Sequence, residues 1–237
     1  MSNYDPNAAA PGTFAGGATV VDAGLRAYML RVYNYMAAGV GLTGLVALLT
    51  YQFTGPALLE SPLMWVFMLA PLGLVFYISS RINTLSAEAA RRLFFIYAAT
   101  VGVSLSTIFH VYTGSSITRV FFISAATFGA LSIWGYTTRR DLSGFGTFLF
   151  MGLIGIVIAS LVNLFLRSSG LDWIISIIGV GVFAGLTAYD TQRIKGMYDS
   201  NDDAVTAGRK AVMGALSLYL DFINLFMMML RLAGNRR

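Results

Sequence analysis

Long apolar runs broken by short polar stretches recur along this 237-residue chain. A bilayer's hydrocarbon core, ~30 Å thick, is crossed by about twenty helical residues. Backbone in lipid has to satisfy its own hydrogen bonds, so runs of this kind are read as helices. Seven segments are bounded by charges and turn residues: about Leu30 to Phe53, closed by "TGP" at Thr54 to Pro56; Pro62 to Ser80; Leu93 to Tyr112; Val120 to Tyr136; Leu142 to Leu166; Trp173 through Ala188 towards Ile194; and Ala211 to Leu230. The pattern predicts an all-α, polytopic membrane protein with seven transmembrane helices.

Composition agrees, with 57% hydrophobic and only 11% charged residues, and it leaves no room for a separate soluble domain. The 25 glycines, many inside apolar runs, suit close helix packing in lipid. The absence of Cys excludes disulfides and thiol ligands. The net charge of +5 does not imply nucleic acid, because the basic residues sit between spans, where they orient the chain. Residues 1–25 lack the basic and continuous apolar regions of a signal peptide and read as a mobile tail, with the membrane domain over 26–237.

Flanking charge sets the expected orientation. With the N-terminus in the cytoplasm, the inner side collects Arg26, Arg31, Arg81, Arg91, Arg92, Arg139, Arg140, Arg193, Lys195, Arg209 and Lys210; the outer side collects Arg119, Arg167, Arg231, Arg236 and Arg237. Three of the outer five follow the seventh segment. The charge rule therefore questions that crossing alone, which is read either as inserted last or as re-entrant.

Acidic residues are few, so their positions are informative. Asp5, Asp22, Glu60, Glu88, Asp141, Asp172, Asp199, Asp202 and Asp203 fall in the tail or in connections. Asp190 in "GLTAYDTQRIKGMY" and Asp221 in "SLYLDFINLFMMMLRLAG" do not. The sixth and seventh spans run antiparallel, so the two carboxylates can face each other across a helix pair. Desolvation and mutual repulsion both disfavour the doubly charged state. The pair is expected to titrate as a unit, sharing a proton or recruiting a cation. Two carboxylates with a few carbonyls and waters would make a weak, exchangeable Ca²⁺ site at Asp190 and Asp221. The bland alternative is that each Asp only bonds a neighbouring helix or pairs with an Arg. Arg193, three residues beyond Asp190, and Arg81, at the end of the second span, are the candidates. Asn224, on the face of Asp221, is a further supporting residue. "GVFAG" at Gly181 to Gly185 reads as close helix packing, His110 as interfacial, and Met227 to Met229 as lipid-facing or core residues.

No GxSxG elbow, HExxH helix or Walker loop occurs, and the only two lysines lie in the connection between the sixth and seventh spans. The chain therefore reads as neither an enzyme nor a retinal protein, and it calls for no cofactor.

The stretches "AYDTQRI" and "LSLYLDFINLFMMMLRL" closely resemble the Bax inhibitor family, also called the transmembrane Bax inhibitor motif family. The likeness is strongest from Gly181 to Arg231 and weaker over Ala27 to Gly234. It implies two three-helix layers wrapped around a central seventh helix. It also implies that Asp190 and Asp221 form a proton-sensing pair governing a Ca²⁺ leak, with Arg81 as the nearest match to an Arg that interacts with the pair. An Arg matching Arg231 pairs in such proteins with an acid in the second span, and this chain has none there. The N-terminal tail resembles bacterial members, which places the chain in a bacterial inner membrane. The expected function is a pH-sensitive, calcium-permeable leak. The alternatives are a proton-coupled secondary transporter, or a non-transporting modulator of a membrane protease or stress response, with a membrane protein as partner beside the bilayer itself.

Overall fold

A computed structural model describes residues 14–55 and 61–237, with side chains from residue 23 onward in the first of these stretches. Glu60, Asp5 and residues 1–13 of the expected tail lie outside the described residues, as does the side chain of Asp22. Helix α1 (Phe14–Thr54) begins well before the expected boundary at residue 25. It is followed by α2 (Leu63–Arg81), α3 (Ala87–Leu105), the single turn Ile108–Val111, α4 (Gly114–Thr137), α5 (Ser143–Leu166), α6 (Ser169–Gly196) and α7 (Ala204–Ala233). Seven of these helical stretches, with Ala87–Val111 taken together, are long and apolar enough to cross a membrane.

Local chemistry marks several helix ends. Ser86, Ser168 and Asp203 each accept a backbone N–H from the first turn they cap, those of Ala89, Leu171 and Thr206. The cap at Asp203 starts α7 seven residues earlier than the hydrophobic pattern alone indicates. At 30 residues, α7 is ~45 Å long. It runs unbroken from the end of the bundle where α6 finishes to the end where α6 starts, so it is not re-entrant. The chain after it is held there: Thr113 N–H donates to the Asn235 carbonyl at 3.1 Å and Arg237 N–H to that of Val111 at 2.9 Å.

Helices α1 and α2 pack on α3, and α4 and α5 pack on α6, giving two groups of three. Helix α7 lies between them, against α1 and α3 on one side and α4 and α6 on the other. Burial follows this arrangement: 61% of the α7 span is buried, against 11% for α2 and for α5. Exposed apolar side chains on α5, such as Phe148, Ile158 and Phe165, suit lipid. Two aromatic ribs fix α7: Tyr219 meets Phe94 and Tyr97 of α3 edge-on, and Phe222 meets Phe121 and Phe128 of α4.

Close approach between α4 and α6 depends on Gly135, where an added Cβ would strike the Ala188 backbone. Of the Gly181/Gly185 pair, only Gly185 is used, under Leu149 and Phe145 of α5; Gly181 faces open space. Met228 is buried and Met229 accepts a hydrogen bond from Ser124, so the methionine cluster packs inward. His110 stacks edge-on against Tyr51 at a helix end.

Candidate functional site

The segment "AYDTQRI" gives each residue a separate task at the α6 end. Ala188 receives Gly135, and the Tyr189 ring lies over Gly146 of α5. Thr191 bonds back to the Thr187 carbonyl at 2.8 Å. Gln192 clamps the α4–α5 connection, donating to the Arg140 carbonyl and accepting from Leu142 N–H, both at 2.9 Å. The residues around Asp190 are thereby fixed to α4 and α5. Asp190 itself points the other way, towards α7, and is buried at 8% exposure.

Helices α6 and α7 run antiparallel in a register marked by Ile194 against Gly214, Arg193 against Ser217 and Gly179 against Met228. Asp221, 5% exposed, falls opposite Asp190 in that register. The two carboxyl groups meet side chain to side chain, a contact that becomes a hydrogen bond only when one of them carries a proton. Asp221 Oδ2 is fully buried and finds no N–H or hydroxyl donor among the described residues. The neighbouring carboxyl is therefore the group that can satisfy it.

Arg193 supplies the positive charge. Its guanidinium is 3.2 Å from Asp190 Oδ1 and donates to Ser217 Oγ at 3.1 Å, strapping α6 to α7. It also lies over the Tyr189 ring, 5.8 Å from the centroid. One shared proton on the aspartates plus one guanidinium makes the cluster neutral. Loss of that proton leaves one buried negative charge uncompensated, which is costly in a low dielectric. A cavity of about 480 Å³ between α5, α6 and α7 reaches the pair, with Arg193 on its wall. Asn224 also lines the cavity, but its amide donates to the Leu220 carbonyl of its own helix at 2.9 Å and leaves the carboxylates alone. Past Asn224 the helices close, with Met228 seated on Gly179 and Leu225 buried.

Of the expected site residues, Asp190, Asp221, Arg193 and Asn224 come together; Arg81 does not. It is exposed at the end of α2, which packs on α3 and not on the helices that carry the pair. The basic partner comes instead from the same helix as Asp190, one turn on. Arg231, without an acid on α2, pairs with Asp172 in the first turn of α6 at 3.6 Å. Ser217 was not singled out from the sequence. Its position one turn before Asp221 is the signal that could have found it.

A family model described as "Inhibitor of apoptosis-promoting Bax1" matches residues 25–237. The inner membrane protein YbhL of Escherichia coli is 49% identical over 222 residues, covering 91% of this chain and 94% of that one. An uncharacterised Rickettsia prowazekii protein is 47% identical over 91% and 92%. An uncharacterised Streptococcus pyogenes membrane protein is 39% identical over 91% and 96%.

Proposed function

The chain belongs to the Bax inhibitor family, and on that premise we propose that it is a pH-sensitive, calcium-permeable leak of the inner membrane, gated by the Asp190–Asp221 pair. The observation that carries this reading is the carboxyl–carboxyl contact between α6 and the central α7. With one proton shared, the contact bonds the two helices and the cluster is neutral. Without it, repulsion between the aspartates replaces the bond, and neutrality returns only if a cation takes the proton's place. Ca²⁺ is the substrate of this path. Its preference for six to eight oxygens cannot be met by two carboxylates, so it is held loosely enough to pass on.

The gate is the packed stretch beyond Asn224, where Met228 fills the groove at Gly179. A shift of α7 away from α6 at Asp221 loosens that packing, extending the cavity towards the far end of the bundle. Following the charge distribution, the cavity faces the cytoplasm.

Reconstitution into calcium-loaded vesicles tests this. Asp190→Asn and Asp221→Asn each keep a hydrogen-bonding side chain at the contact but remove its titration. Each is expected to flatten the pH dependence of calcium efflux while the protein stays folded. Efflux with unchanged pH dependence in both variants would reject the mechanism.

A further inference from the structure

We propose that the end of the bundle opposite the aspartate pair carries a binding site for a phosphate group, formed by Arg167, Arg231 and Arg236. Asp172 lies 18 residues before Asp190 on α6, ~27 Å away along the helix, so this is a separate place in the molecule. A cavity of about 370 Å³ there is lined by the three arginines together with Asn163, Asp172 and Trp173. A second, of about 340 Å³, adjoins it and shares Asn163, Arg167, Asp172 and Arg231.

The charge around these cavities is unbalanced. Asp172 holds Arg231 at 3.6 Å and Arg236 at 3.8 Å, one carboxylate oxygen to each. Arg167 has no acidic partner among the described residues. One acid against three arginines leaves an excess of two positive charges. At separations of 3.6 and 3.8 Å the guanidiniums are not in tight bidentate pairing, and they keep donors for an anion with three or four oxygens.

Arg167 is held at the cavity by an unusual backbone conformation. It caps α5 with φ at 50°, the one non-glycine residue in the left-handed region among the described residues. Glycine meets that geometry without strain. Arginine tolerates it at a cost and sets a guanidinium on the cavity rim.

The apolar wall next to the arginines distinguishes the source of the phosphate. Leu164 and Trp173, which line the two cavities, are exposed, as are Leu161 and Phe165 in the last turns of α5, presenting apolar surface to acyl chains next to a cationic pocket. An anionic phospholipid headgroup matches both parts; free inorganic phosphate matches the first alone.

The test uses full-length protein with Trp173 as its only tryptophan (Trp65→Phe, Trp134→Phe), in vesicles of phosphatidylglycerol or phosphatidylcholine brominated on the acyl chains. Preferential quenching by the brominated phosphatidylglycerol is expected. The preference should fall about fivefold in Arg167→Gly, the effect of one basic residue at an anionic surface, while the unfolding temperature stays the same or rises as the backbone strain is relieved. A saturable response of Trp173 to inorganic phosphate in phosphatidylcholine vesicles, lost in Arg167→Gly, keeps the site and assigns it to the free anion. Absence of both responses, or their persistence in the double variant Arg167→Gly/Arg236→Gln, overturns the proposal.

Discussion

The Tyr219 hydroxyl lies 2.6 Å from that of Thr43, and Thr43 in turn donates to the Ala98 carbonyl at 2.8 Å. With Thr43 engaged as donor to Ala98, Tyr219 is the donor to Thr43, and one chain of two hydrogen bonds ties α7 to α1 and α3. Tyr219 is two residues from Asp221, on nearly the opposite face of the helix. The central helix is thus anchored to one layer by a pH-indifferent tie and to the other by a titratable one. Tyr219→Phe removes a donor but leaves Thr43 satisfied, and is expected to cost about 1 kcal/mol. Thr43→Val strands a buried phenol and is expected to cost more, ~1–3 kcal/mol. Thermal unfolding in detergent gives the order. Neither change should alter the pH dependence of ion flux.

Arg193 places a positive charge on the wall of the cavity through which a cation would reach the aspartates. Arg193→Gln is expected to raise calcium efflux several-fold, since a cation is no longer repelled at the approach, and Arg193→Lys to stay near wild type. Equal efflux in all three proteins would mean that ions do not pass this cavity.

Gly135 and Gly146 both accept a neighbour where a side chain would sit, but the neighbours differ. At Gly135 it is the Ala188 backbone; at Gly146 it is the Tyr189 ring, which can turn aside. Gly135→Ala should therefore force α4 from α6 and cost ~1–3 kcal/mol, with Gly146→Ala the milder of the two by the same unfolding measurement.

Asp203 caps α7 and accepts the Thr206 N–H at 2.5 Å. The bond from the Thr206 backbone, followed by that from its side chain, holds the Asp203 carboxyl below the usual carboxylate range. Its folded pKa is depressed, so its contribution is fully present above the ordinary value of ~3.9 and fades as pH falls through the lowered folded value. Asp203→Ala is expected to lower the unfolding temperature at pH 7, with the gap to wild type closing in acid. Asp203→Asn keeps the cap and should show a smaller gap.

The spans were legible because an uninterrupted apolar run as long as Leu142 to Leu166 satisfies its backbone in lipid as a helix and lacks the alternation of a barrel strand. Asp190 and Asp221 were legible for the same reason: a carboxylate in such a run is an exception that has to be accommodated. Arg81 was read from its place at the end of the second span and from the resemblance, and sequence does not say that α2 packs on α3, away from the pair. The doubt about the seventh crossing arose from counting Arg231, Arg236 and Arg237 on the outer side, where the charge rule disfavours Lys and Arg. Asp172 lies against the first two, and Arg237 donates to the Tyr51 hydroxyl at 3.2 Å. These contacts hold the arginines in place without neutralising them all, and the one from Asp172 to Arg231 spans some sixty residues of sequence, beyond the reach of local counting.

Helix α7 is made after the six spans it packs between. Until Ala204 to Ala233 have left the ribosome, the two helix triplets have no shared core, and the six spans wait in the bilayer with Asp190 and the hydroxyl of Thr43 lacking their α7 partners. Joining the two triplets therefore waits on insertion of this polar-centred helix between them. A chain that stops short of α7 is expected to present the membrane's quality-control proteases with an open, partly polar seam.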